Sequence, residues 1–186
     1  MRLPLMRLRW RSGLYALPAL VAGLVLPSGS AAAASPPIGS AATEREIARC
    51  IQVASAGRPW LEKTLWGLRD QEAGWLGAEV LNNNGTHDLG PLQVNSFWVP
   101  KLSALTGRPA GDIRFWLAND ACFNVQAARW IFLSALSITH DYWKAVGVYH
   151  SPTSWRQRRY VESVSRHLER RFGGDVFSNS GSVVRP

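Results

Sequence analysis

Residues 71–96 read QEAGWLGAEVLNNNGTHDLGPLQVNS. A helical pattern runs into this stretch and stops inside it. Leu61, Leu65, Leu68 and Glu72 recur at spacings of four, three and four, so Glu72 prolongs an apolar helix face. Pro59 suits the first turn of that helix and Gly74 its C-cap. Across residues 81–95 the helical period vanishes and Asn82, Asn83, Asn84, Gly85, Asp88 and Gly90 crowd together. That composition predicts a polar loop, with a short hairpin centred on Asn84 and Gly85. A further helix is expected to begin near Leu92.

The flanks carry helical signals on both sides. Thr43 with Glu46 has the form of a capping box, and Ile47, Cys50, Ile51 and Ala54 share one face of a first helix that Gly57 ends. Downstream, periodic apolar positions predict helices over residues 120–136, 142–149 and 154–171. The expected architecture is a mainly α single domain over residues 44–172, with a small polar loop or β element beside the helix that carries Glu72. No internal repeat is visible.

The ends of the chain read differently. Arg2, Arg7, Arg9 and Arg11 precede the apolar run GLYALPALVAGLVLP and the small-residue stretch SGSAAAAS. That order predicts a secretory signal peptide over residues 1–34, cleaved near Ala34, because the apolar run is short of the ~20 residues that span a bilayer. The expected location is the periplasm. Residues 35–43 read as a flexible lead-in and residues 173–186 as a disordered tail. The formal charge of +8 falls to 8 − 4 = +4 without the four leader arginines, which removes most of the case for a nucleic-acid partner. Two cysteines, Cys50 and Cys122, remain in an exported chain, where a lone pair reads as a disulfide.

The chemistry centres on Glu72. A carboxyl on the buried stripe of a helix loses hydration, which raises its pKa, and the negative end of the helix dipole pushes the same way. Such a group holds its proton near neutral pH and can donate it as a general acid. The competing reading is a partly exposed helix-end residue. The amides of Asn82, Asn83, Asn84, Gln93 and Asn95 suit sugar hydroxyl and acetamido groups, with turn chemistry as the alternative for the first three.

Glu72-Ala73-Gly74, Asn84-Gly85, Asp88, the run Gly90 to Ser96, Cys122-Phe123-Asn124-Val125 and Gly147 to Pro152, in that order, resemble the soluble lytic transglycosylase domain. They are most similar to its branch associated with conjugation, pilus and type III secretion machines. The resemblance covers roughly residues 44 to 165. It implies a lysozyme-like fold of the α+β lysozyme superfamily, with Glu72 as sole catalytic acid and base. It implies substrate contacts from Gln93, Asn95 and Tyr149, with Ser96 beside them, and a Cys50–Cys122 disulfide. The implied reaction cleaves peptidoglycan glycan strands between N-acetylmuramic acid and N-acetylglucosamine, leaving 1,6-anhydro ends, with no cofactor and no metal. Such a protein is expected to act as a monomer beside a secretion, conjugation or pilus machine. Ala73, where the family carries Ser, and His150-Ser151-Pro152 after Tyr149 depart from the commoner pattern.

Two rivals stand beside this reading. A lysozyme-like muramidase would hydrolyse the same bond with Asp88 as second acid. A non-catalytic wall-binding assembly factor would use the basic end, Arg156, Arg158, Arg159, Arg166, Arg170 and Arg171, which otherwise reads as a solvated helix face. Trp66, Trp116, Trp130 and Trp143 are expected in the core. Trp75 and Trp98, flanking the polar loop, are candidates for a sugar-stacking wall, with core packing as the competing role. His87, His140, His150 and His167 lack metal-ligand spacing.

Overall fold

A computed structural model describes residues 38–174 and residue 176. The expected signal peptide and most of the tail lie outside the described residues. Helix α1 (Ile38–Ser55) presents Ile47, Cys50, Ile51 and Ala54 to the core, as their spacing requires. It starts at Ile38, so Thr43 lies within the helix and does not cap it. Helix α2 (Pro59–Glu72) has its proline in the first turn and buries Leu61, Leu65 and Leu68. Three short strands follow: β1 (Glu79–Leu81), β2 (His87–Leu89) and β3 (Val94–Asn95). They form one antiparallel sheet in the order β1-β2-β3, with Val80 opposite Asp88 and Asp88 opposite Asn95.

The expected helix at Leu92 is absent. Leu92 and Val94 are both buried, an alternation that belongs to a turn entering a strand, and the chain passes through a 3-10 turn (Ser96–Trp98) before helix α3 (Val99–Thr106). Helix α4 (Ala110–Asn119) has no counterpart in the sequence reading; its N-cap is Pro109, without a side-chain cap. Helices α5 (Ala121–Thr139), α6 (Tyr142–His150) and α7 (Ser154–Phe172) fall close to the expected positions. Asp120 and Asp141 cap α5 and α6 through their carboxylates, each accepting a backbone N–H at 2.9 Å.

Helix α5 is the centre of the packing: α1, α4 and α6 lie against it, and α7 closes over α6 and α2. Phe132, Val125, Ala128 and Ile131 fill its inner face. The result is the expected mainly α, lysozyme-like domain with a small sheet beside the helix that carries Glu72. A Cys50–Cys122 disulfide joins α1 to the first turn of α5, with Cα atoms 4.8 Å apart. Val176, in the segment expected to be disordered, is buried, and its carbonyl accepts a hydrogen bond from Lys63. Trp66, Trp98, Trp116 and Trp130 pack against the core, whereas Trp143 lies at the surface and Trp75 is 60% exposed.

Candidate active site

The end of α2 is a crowded join. Ala73, not Gly74, takes the left-handed conformation that terminates the helix (φ 48°), its N–H bonded to the Arg69 carbonyl at 2.9 Å. Gly74 is needed for a different reason. A Cβ there would sit 2.2 Å from the Gly90 carbonyl oxygen and 2.6 Å from the Gln93 side-chain nitrogen, so only glycine lets the loop after β2 reach the helix end. The Gly74 N–H donates to the Pro91 carbonyl at 3.2 Å. The two halves of the opening stretch are thereby locked together, with Glu72 at the seam.

Asn124 holds that loop from below. It is fully buried on α5, accepts the Leu92 N–H at 2.9 Å, and donates to the Leu89 and Leu117 carbonyls, both at 2.8 Å. Every hydrogen of its amide is used, and three chain segments meet on one side chain. Tyr149 adds a second anchor, its hydroxyl donating to the Leu92 carbonyl at 2.9 Å. The Tyr149 phenol also lies close enough to Glu72 and Asp88 for their charges to reinforce the upward shift that burial gives it.

Burial pushes the Glu72 carboxyl up to about 7 from its usual 4.5. The Tyr160 hydroxyl, which donates a hydrogen bond to Glu72 Oε1, opposes that shift by favouring the carboxylate, and the negative charge of Asp88 adds a smaller upward push. Tyr160 is itself buried and held far above the usual phenol range, so it stays protonated and donates. A carboxyl that is half charged near neutral pH, and whose charged form accepts a hydrogen bond from a phenol, has the properties of a group that gives and retakes a proton.

The remaining candidates divide by what their polar atoms already hold. Asn95 Nδ2 donates to Asp88 Oδ1 at 2.7 Å and to Thr86 Oγ at 2.9 Å, while Asn95 Oδ1 accepts the Phe97 N–H at 2.9 Å. Asn95 thus clamps Asp88 across the β2–β3 pair. Gln93 occupies the left-handed region (φ 48°) and folds back to donate to the Gly90 carbonyl at 2.8 Å, beside Gly74. Ser96 Oγ accepts the His87 N–H at 2.9 Å. Asn84 closes the hairpin turn by accepting from the backbone and the hydroxyl of Thr86, at 3.1 and 2.7 Å, which is turn chemistry. Trp75 projects its exposed ring from the residue after Gly74.

Tyr160 was not legible as a site residue. It shares the inner face of α7 with Val164 and Leu168, four and eight residues on, and in sequence that stripe reads as core. His150, the last residue of α6, stacks flat on the Tyr160 ring; in sequence it stands out only as a departure after Tyr149 and as a histidine without metal-ligand spacing.

No protein-family model matches the chain. Among curated proteins it is similar to protein IpgF of Shigella flexneri, 28% identical over 111 residues, covering 57% of this chain and 70% of that protein. It is also similar to the invasion protein IagB of Salmonella typhimurium and of Salmonella typhi. Each is 30% identical over 105 residues, covering 54% of this chain. The match to IagB spans 62% of that protein's length, less than two thirds.

Proposed function

We propose that this protein is a peptidoglycan lytic transglycosylase, exported to the periplasm, that opens the wall locally for a secretion, conjugation or pilus machine. The observation that carries the reading is the Glu72 carboxyl, held near neutrality by burial beside a rigid loop of amides. The motif order from Glu72 to Pro152 and the similarity to proteins named for invasion support it.

In the proposed reaction, protonated Glu72 gives its proton to the oxygen linking N-acetylmuramic acid to N-acetylglucosamine. The departing glycan leaves with that proton, and the substrate's own acetamido group supports the electron-poor anomeric carbon. Glu72, now a carboxylate steadied by Tyr160, takes the proton from the muramoyl C6 hydroxyl as its oxygen closes on the anomeric carbon. The 1,6-anhydro ring forms, no water is consumed, and Glu72 ends protonated as it began. One carboxyl serves both steps, in contrast to the carboxylate pair of most glycosidases.

Asp88 favours a second reading, because its charge reaches Glu72 from the neighbouring strand. In a muramidase it would direct water to the anomeric carbon. The Asn95 bond to Asp88 Oδ1 instead supports a structural part for this carboxylate. Mass spectrometry of fragments released from purified sacculi tests both readings. Anhydro ends in the wild type and none from Glu72→Gln are expected. Reducing ends would replace the transglycosylase with the muramidase, and equal release by Glu72→Gln would end both.

A further inference from the structure

Tyr160 donates to Glu72 only while its side chain keeps one χ1 setting, because the hydroxyl oxygen swings with χ1 and stays in place when the ring turns about χ2. One face of that ring is covered by the imidazole of His150, with centroids 4.5 Å apart and planes 3° from parallel. Other aromatic pairs in the domain, such as Trp98 with Trp130 and Phe132 with Tyr142, meet edge to face. A flat pair at this separation is a stacking contact, and it blocks the phenol from swinging about χ1 towards the face that the imidazole covers. The imidazole comes from the last residue of α6, whose end is fixed by the Ser151 N–H bonded to the Gly147 carbonyl at 3.2 Å. The phenol that α7 carries is therefore backed on one face by the end of α6.

The surroundings suit a neutral imidazole. Partial burial lowers its proton affinity most, Arg156, one turn before Tyr160 on α7, lowers it further, and Asp88 from β2 raises it. Tyr160 from α7 covers its face, and Glu72 lies beyond the phenol. A neutral ring covers the phenol and adds no cation beside Glu72; a cation there would favour the carboxylate and work against a proton donor.

We propose that His150 is a positioning residue for Glu72, its stacked ring holding the Tyr160 hydroxyl on the carboxyl. The role rests on Glu72 being the acid, but its test does not depend on glycan cleavage. The test follows the Glu72 carboxyl carbon by NMR as pH is varied, in the full chain and in five variants: Tyr160→Phe, His150→Ala, His150→Phe, and Tyr160→Phe combined with His150→Ala or with His150→Phe. Losing the Tyr160 hydroxyl removes a bond that favours the carboxylate, so Tyr160→Phe raises the Glu72 midpoint in the wild-type background. With His150→Ala the hydroxyl is already released, and Tyr160→Phe then shifts the midpoint by less than half as much. With His150→Phe, which restores the stack, the full shift returns.

An equal shift in the alanine background, or no shift in any background, overturns the proposal. Should His150→Ala lose its thermal transition, His150→Ser, which also lacks a ring, takes its place. In turnover on sacculi, His150→Ala is expected to lower kcat at unchanged KM and His150→Phe to restore it. If the wild-type protein releases no fragments, the NMR shifts still decide the positioning role, and only the reading of the reaction fails.

Discussion

Glu72→Gln should stabilise the protein, and only above a definite pH. The folded-state midpoint of Glu72 is about 7, against 4.5 for an unperturbed glutamate, so between those values the folded protein holds a proton that the unfolded chain releases. Stability then falls as pH rises from 4.5 through about 7, by about 1.4 kcal/mol per unit, and the accumulated loss at pH 8.5 is about 3 kcal/mol. Glutamine is neutral throughout, and its side-chain oxygen can still accept from Tyr160. The two proteins should therefore melt within roughly 2 °C of each other at pH 5, while at pH 8.5 the variant should melt higher by roughly 10 °C for a domain of this size. Thermal unfolding followed by circular dichroism, with the disulfide kept oxidised, measures both. A melting difference that is the same at pH 5 and pH 8.5 would refute the claim that Glu72 is ionised at a cost in the folded state.

Asn124→Ala leaves the Leu92 N–H and the Leu89 and Leu117 carbonyls without their partner, which should cost about 3 kcal/mol in urea unfolding. Replacing both Cys50 and Cys122 by serine opens a loop of 72 residues and should cost about 4 kcal/mol by the same measurement. Trp75→Ala should leave the melting temperature within about 1 °C, given its exposure, and raise KM on sacculi; an unchanged KM would remove Trp75 from the glycan path. Asp88→Asn removes a charge that raises the Glu72 midpoint, so the loss of activity with rising pH should begin at a lower pH. Anhydro products from that variant would exclude Asp88 as an essential second acid.

Much of the fold was written in short-range patterns. The stripe Leu61, Leu65, Leu68 placed Glu72 on an inward face before any tertiary contact was known, and the amide-rich stretch announced a break from helix. Gly74 shows where such patterns mislead. A glycine after a helix suggests a left-handed cap, yet Ala73 takes that conformation and Gly74 is required by a backbone approaching from residue 90. The helix expected at Leu92 failed for a related reason, since Leu92 and Val94 are both buried, an alternation that belongs to a turn and strand. Helix α4 had no side-chain cap to announce it. Tyr160 was beyond reach of local reasoning, because only the packing of α7 against α2 turns one member of a core stripe into the partner of an acid.

The amide of Asn124 ties three separate stretches of chain, yet among the described residues none of its hydrogen bonds goes to Glu72, Asp88 or another side chain of the site. A scan that scores only activity would therefore rank it with the acid itself, since losing it would loosen the loop that faces Glu72. Separating the two takes a pair of measurements at each position. A defect at Glu72 leaves a protein that melts normally or higher, whereas a defect at Asn124 takes heat stability and turnover down together.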